Sequence, residues 1–157
     1  MNNSIIYNSD KFKAMIHYII SRCESGDNFA LFKLLYFSDF DYYEKYEQPI
    51  SGETYVRKTG CPVPSHFQKA IEELVGDGKI EECPNYQYSS LAEPDLSSLT
   101  LNEIQVIDDV IDGISHFKQS RHSHGDIPLR LANDGEPLIY EAVFYREPQY
   151  SVRDYAY

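Results

Sequence analysis

The stretch KLLYFSDFDYYEKY, residues 33–46, decides the fold because its spacing predicts a helix with apolar surroundings on most sides. Leucine and phenylalanine side chains cover one side of this helix, while Phe32, Tyr36 and Tyr43 cover another. A helix that is apolar around most of its circumference belongs in the middle of a bundle. Asp39 lies among these aromatic residues, where an ionised carboxylate is costly unless it accepts good hydrogen bonds.

The loop that follows the helix offers donors for Asp39. Its sequence ISGETY, residues 50–55, supplies turn amides and hydroxyl groups. We expect Asp39 to accept hydrogen bonds from this loop and so to hold both the loop and the CPVP turn, residues 61–64, on the bundle. The alternative is a direct role of Asp39 in partner recognition or in chemistry.

Further helices are predicted on both sides of the central one. Residues 12–23 carry an apolar stripe at helical spacing. Thr100 and Glu103 have the capping-box spacing before a second stripe, which consists of Ile104, Ile107, Val110, Ile111, Ile114 and Phe117. A third helix is expected to bury Phe67, Ile71, Leu74 and Val75. The caps expected for the first, central and third helices are Ser9 or Asp10, Asn28, and Ser65.

The β content is predicted to be small. Residues 78–91 indicate two short strands around Pro84, whereas TYVRKTGCPVP, residues 54–64, indicates an extended segment and a rigid turn. Residues 138–145 fit either a terminal helix or a strand. The predicted fold is therefore α+β and mainly α, a compact helical bundle with a small β-hairpin or wing. We expect one domain over 1–157, with a core of about 9–145 and a mobile tail at 146–157.

The charge argues against nucleic acid as a direct partner. The chain of 157 residues has 14 Lys plus Arg against 25 Asp plus Glu, a net charge of −11. Such a surface repels a phosphate backbone and suits a basic protein partner. The helix that a winged-helix reader would place in the major groove, SHFQKAIEELVGDG at residues 65–78, contains one Lys and no Arg.

The compartment is predicted from the cysteines and from the absence of long apolar runs. Cys23, Cys61 and Cys83 are odd in number and form no C-x-x-C pair, so we expect reduced thiols in a cytoplasmic protein. No stretch has the run of about 18 uncharged apolar residues that a membrane span requires.

One cluster leaves a metal-dependent enzyme open as an alternative. HSHGD contains His122, His124 and Asp126, but a structural role of the histidines in hydrogen bonds is the simpler interpretation. The chain has no G-x-S-x-G, P-loop, Rossmann glycine pattern or H-E-x-x-H. We therefore expect no catalytic residues, no metal and no cofactor.

Three motifs, in order and at similar spacing, carry a resemblance to a known family. K-L-L-Y-F-S-D-F, then I-S-G-E-T-Y-V, then G-C-P-V-P resemble the Panacea domain of SocA-like antitoxins, and Ser123-His124 resembles that family's late serine–histidine motif. The resemblance gives structural roles to Lys33, Tyr36, Asp39, Gly52, Tyr55, Pro62, Pro64 and His124. The chain departs from the family pattern at Cys61 and at Leu129, where Gly-Pro and Pro-Trp are usual.

The resemblance implies an antitoxin of a bacterial or phage toxin–antitoxin system that binds its cognate protein toxin directly. The alternative it leaves open is a proteolytic adaptor, which would add a protease or chaperone component as a partner. Aromatic side chains dominate interface hot spots, so we expect Tyr42, Tyr46 and Tyr55 to be exposed and to bind the partner.

Overall fold

The computed structural model describes residues 4–23, 27–116, 121–148 and 150–153. Helices dominate this part of the chain, and two antiparallel hairpins accompany them, which confirms the predicted α+β, mainly α fold. In chain order the elements are α1 (Ser9–Arg22), α2 (Asn28–Tyr46), β1 (Tyr55–Lys58), β2 (Cys61–Pro64), α3 (Phe67–Gly76), β3 (Ile80–Cys83), β4 (Gln87–Ser90), α4 (Leu101–His116), a single 3₁₀ turn (Ser123–Gly125), α5 (Ile127–Leu131) and a 3₁₀-helix (Tyr140–Tyr145).

The helix α2 is central, as its apolar circumference predicts. It packs against α1, α4, β2 and the 3₁₀-helix. Leu35, Tyr36, Phe37 and Phe40 are fully buried along it. Contacts with elements on several sides explain why a helix with so few polar positions is stable in this place.

The predicted cap is right for α4, shifted for α1 and α2, and wrong for α3. Thr100 and Glu103 form the capping box: Glu103 N donates to Thr100 Oγ1 at 3.1 Å, and Thr100 N donates to Glu103 Oε1 at 2.8 Å. Asn8 caps α1 and Asp27 caps α2, each one residue before the first helical residue. Ser65 does not cap α3, which begins two residues later.

The buried faces of the outer helices follow the predicted stripes with one exception. Val75 in α3 is 40 % exposed, whereas the other three residues of its predicted stripe are buried. In α4 the described members of the stripe, Ile104, Ile107, Val110 and Ile111, are buried or packed against the core. The side chain of Ile114 and the whole of Phe117 lie outside the described residues.

The hairpin β3–β4 confirms the predicted wing. β1–β2 forms a second hairpin where the sequence predicts an extended segment and a turn. Thr59 and Gly60 connect β1 to β2, both with positive φ (51° and 75°), as a two-residue hairpin turn of the primed type requires. Pro62 and Pro64 lie in β2 and pair with Arg57 and Tyr55. Among the described strands β2 pairs with β1 alone, and the prolines are tolerated because such an edge position needs fewer backbone donors.

The segment 138–145 forms neither a regular α-helix nor a strand but the 3₁₀-helix Tyr140–Tyr145. It buries Tyr140 and Val143 against α2, and the Tyr140 hydroxyl donates to the Glu53 carbonyl at 2.6 Å. The spacing of apolar residues does not distinguish a helix from a strand in this segment, so tertiary contacts determine its conformation. Within the described residues, no helix combines the length and the hydropathy that crossing a bilayer requires.

The loop after α2 requires a glycine at position 52. Its φ is +74°, and a Cβ built on it would lie 2.3 Å from the backbone oxygen of Ile6. The same loop holds the N-terminal segment, because Asn8 N donates to the Ser51 carbonyl at 2.7 Å. The glycine thus allows the N-terminal segment to pack directly on this loop.

We predict that Gly52→Ala lowers the free energy of unfolding by at least about 2 kcal/mol more than Gly60→Ala does. Both glycines have a φ near +75°, but a Cβ at Gly60 would meet nothing within 4 Å. Gly60→Ala therefore reports the conformational strain alone, and the difference reports the clash. Urea denaturation of both variants measures it, and equal losses would contradict the close packing at Gly52.

Candidate functional site

The residues singled out by the family resemblance separate into two groups. Tyr36, Asp39, Gly52, Tyr55 and Pro64 are buried, and the first four lie in or beside hydrogen-bonded networks under the surface. Pro62 is buried as well, but it borders one surface cleft together with Lys33 and His124. The motif residues therefore include both an internal scaffold and a surface that the scaffold positions.

The expected hydrogen bonds to Asp39 are present. Its carboxylate is completely buried and accepts hydrogen bonds from Ser51 N at 2.7 Å, Ser51 Oγ at 2.6 Å and the Tyr55 hydroxyl at 2.7 Å. The Tyr55 hydroxyl also lies 3.0 Å from the Leu35 carbonyl oxygen. Asp39 thus joins the loop and the first strand after α2 to the middle of that helix.

Burial has the largest effect on the pKa of Asp39. It raises the pKa of the carboxyl from 3.8 to about 6, because the hydrogen bonds from Ser51 and Tyr55 offset only part of the desolvation and the nearby Glu53 acts in the same direction as burial. The carboxylate therefore stays ionised at neutral pH only because three donors converge on it.

Glu53 holds the start of α3 in place of Ser65. The buried Glu53 carboxylate accepts from His66 N at 2.8 Å and from Ser65 Oγ at 3.1 Å. His66 Nδ1 lies 2.6 Å from the same carboxylate, and the imidazole stacks on Tyr7 with ring centroids 4.0 Å apart. The loop of residues 50–55 therefore contacts α2, α3 and the N-terminal segment.

A second buried network, centred on Arg146, is absent from the sequence predictions. The Arg146 guanidinium is fully buried. Its Nη1 donates to Asp41 at 2.8 Å and to Glu44 at 3.0 Å, while Nε and Nη2 donate to Asp126 at 3.0 and 2.8 Å. One side chain thus binds two carboxylates of α2 and the carboxylate that caps α5.

Arg121 and Tyr36 complete this network, which we call the Arg146 cluster. Arg121 binds both oxygens of Asp41 at 2.7 and 3.0 Å, and the Tyr36 hydroxyl donates to Asp126 at 2.5 Å. Burial alone would lower the pKa of Arg146, but the neighbouring carboxylates raise it further than burial lowers it. The guanidinium therefore remains charged inside the protein.

The described chain after residue 145, which the sequence assigns to a tail, packs on α2. Arg146 is buried, and Ser151 Oγ and Val152 N donate to Glu44 at 2.5 and 3.1 Å. Residues 150–153 therefore belong with the scaffold and do not form a separate tail. Residues 154–157 lie outside the described residues.

The surface cleft lies where the first turns of α2 meet β2 and the HSHGD segment. We call it the motif cleft; it is lined by Phe29, Ala30, Lys33, Cys61, Pro62, His122, Ser123 and His124. Phe29 is 63 % exposed. Three segments that carry the family resemblance, far apart in sequence, thus meet at one surface.

The proposed metal ligands do not converge. The His122 and His124 rings are exposed and stack with centroids 5.2 Å apart, whereas Asp126 is buried in its ion pair with Arg146. Among the residues that the structure describes, no three His, Cys, Asp or Glu side chains come together as metal ligands would.

The three predicted contact tyrosines differ in exposure. Tyr46 is 45 % exposed and packs on the half-buried Tyr42, with ring centroids 4.5 Å apart. Tyr55 is only 1 % exposed, so its predicted exposure is wrong. The apolar strand face and the hydroxyl bond to Asp39 account for its burial.

The pH dependence of stability tests the environment of Asp39. The folded state binds the Asp39 proton more tightly than the unfolded state, because the pKa is about 6 in one and 3.8 in the other. The stabilisation from this proton is complete below the lower pKa and is lost as pH rises through 6. We predict that the stability of the wild type relative to Asp39→Asn falls by about 1 kcal/mol between pH 5 and pH 7.

Urea denaturation at pH 5, 6 and 7 measures this difference. Asp109→Asn is the matched control, since Asp109 is an exposed carboxylate on α4. Parallel stability curves for the wild type and Asp39→Asn over this range would show that the Asp39 carboxyl is not held in a desolvated site.

Comparison with known proteins identifies the family. Residues 31–124 match the family model described as antitoxin SocA-like, Panacea domain. This segment contains α2 from residue 31 onward, both hairpins, α3, α4 and the lining of the motif cleft except Phe29 and Ala30. No curated protein and no solved structure is significantly similar to the chain. Membership of an antitoxin family supports an antitoxin role in general. The match covers more than half of the chain, which therefore belongs to the SocA-like antitoxin family with a Panacea domain.

Proposed function

We propose that this protein neutralises a cognate protein toxin by binding it directly, without chemistry in its own chain, in the cytoplasm. The observation that carries the proposal is the combination of an internally bonded polar core with exposed aromatic and apolar side chains on the central helix. Four buried acids already take part in intramolecular hydrogen bonds or ion pairs: Asp39, Asp41, Glu44 and Asp126. These acids therefore stabilise the fold. The free cysteines fit a reducing compartment.

The toxin contact that we favour is at the C-terminal end of α2. Tyr46 and Tyr42 stack there, and Tyr42 faces Thr100 at the start of α4. The next residue, Leu101, is 85 % exposed. We call these three residues, Tyr42, Tyr46 and Leu101, the tyrosine patch. Large aromatic side chains beside an exposed leucine are typical of the central part of a protein interface.

The charge of the whole protein supports a basic partner. A net charge of −11 attracts a cationic protein over a distance of about one Debye length and raises the association rate. Complementary charge adds specificity more than affinity, so the affinity is expected to come from the aromatic side chains.

Co-expression tests the proposed function. The reading frame next to this gene should arrest growth when expressed alone and should be tolerated when this protein is expressed with it. Rescue that persists in a strain without the relevant protease supports neutralisation by binding, whereas rescue that needs the protease supports the adaptor alternative. A neighbour without toxicity would contradict the toxin–antitoxin assignment.

We predict that Tyr46→Ala weakens the complex with the purified toxin at least tenfold, because an interface aromatic contributes more than about 1.4 kcal/mol. Isothermal titration calorimetry measures the loss. The matched control is Tyr86→Ala, since Tyr86 is exposed in the β3–β4 turn, and that hairpin reaches the other end of α2, where Tyr88 lies near Asn28. Unchanged affinity of Tyr46→Ala would rule out the tyrosine patch as the contact.

A further inference from the structure

The motif cleft carries positive charge on a protein that is otherwise acidic. Lys33, His122 and His124 line it, and Arg121 is close enough to act on Lys33. Arg121 is already bound to Asp41 and lies over the Phe37 ring at 4.0 Å. Lys33 is therefore the cation that the cleft can offer to a ligand, and the two imidazoles add hydrogen-bonding groups.

Lys33 is held in an unfavourable electrostatic position. Burial and the neighbouring Arg121 both lower the pKa of its ammonium group. Among the described residues, no carboxylate forms an ion pair with Lys33, although the protein has an excess of acidic residues. A partly desolvated cation beside another cation is stabilised when an anion from outside binds to it.

The rest of the cleft defines the kind of anion. Phe29 adds an exposed aromatic side chain to the lining, Pro62 and Cys61 add mostly apolar surface, and Ser123 and His124 add polar groups. A ligand that fits must combine a carboxylate with an adjacent apolar or aromatic group. An acidic side chain beside an aromatic one in a polypeptide meets both conditions.

The cleft is distinct from the tyrosine patch. Lys33 and Tyr42 are nine residues apart on α2, and nine steps of about 100° place them roughly on opposite sides of the helix. A single flat partner surface cannot cover both sides of one helix. The two surfaces therefore suit two different contacts.

We propose that the motif cleft binds an acidic, aromatic-flanked segment of a partner polypeptide, with the carboxylate on Lys33 and His124 and the apolar side chain against Phe29. The cleft thereby gives this protein a second interaction surface in addition to the toxin contact proposed above. The assignment does not depend on the toxin contact, because it concerns different residues and a different ligand chemistry.

Nuclear magnetic resonance on the full-length, isotope-labelled protein tests the proposal with three probes at physiological salt. The first is the capped peptide acetyl-Gly-Phe-Asp-Glu-Phe-Gly-amide, the second is its Asn-Gln counterpart, and the third is inorganic phosphate. We expect saturable shifts of the amides of Phe29, Lys33 and His124 with the acidic peptide, and at least tenfold weaker binding of the neutral peptide.

Two variants make the result specific. Lys33→Met should weaken binding of the acidic peptide at least tenfold. Lys33→Gln provides a second variant that keeps a polar side chain. Lys45→Met, on the exposed end of the same helix, should leave binding unchanged. The variant spectra also report whether each protein is folded.

Four outcomes would overturn the proposal: no saturable shifts in the cleft, equal binding of the two peptides, tighter binding of phosphate than of the acidic peptide, or full binding by folded Lys33→Met and Lys33→Gln. Tighter phosphate binding would indicate a nucleotide or nucleic-acid ligand instead. Loss of toxin neutralisation in Tyr46→Ala with peptide binding intact would show that the two surfaces act separately.

Discussion

The rest of the structure depends on one buried cation, the guanidinium of Arg146. It binds Asp41 and Glu44 on the central helix and Asp126 at the start of α5, so it connects the C-terminal part of the chain to the middle of the bundle. Buried charges are tolerated only when every partner is present. The requirement makes the arrangement all-or-none: a chain that lacks the cation keeps three buried acids, of which Arg121 binds Asp41.

Each of the two internal networks positions a different part of the motif cleft. The Asp39 network fixes the loop of residues 50–55, from which the β1–β2 hairpin starts. The Arg146 cluster fixes Asp126, which directly follows the HSHGD histidines. The motif cleft lies where these two fixed segments meet α2. Motif residues that never reach the surface thus determine its shape, as rigid supports do for binding sites in general.

An interaction can be predicted from the sequence when its partners lie close together along the chain. Asp39 and its donors lie within 16 positions of one another, and an acid on an apolar helix face is itself a signal for nearby donors. Arg146 lies 105 positions from Asp41, and no spacing rule relates a late arginine to a helix so far away. The sequence does not predict the β1–β2 hairpin, because the prolines of β2 favour a rigid turn over a strand and outweigh the Thr59–Gly60 turn signal. Tyr55 was expected at the surface because tyrosine suits both a wet interface and a hydrogen-bonded core.

A double-mutant cycle on Arg146 and Asp126 tests most directly whether the cluster holds the fold. The free energy of unfolding in urea is measured for the wild type, Arg146→Met, Asp126→Asn and the double variant. The account predicts that Arg146→Met costs about 3–5 kcal/mol, and that Asp126→Asn costs much less in the Arg146→Met background than alone, since the two residues bind each other. Additive effects, with a loss below about 1 kcal/mol for Arg146→Met, would contradict it.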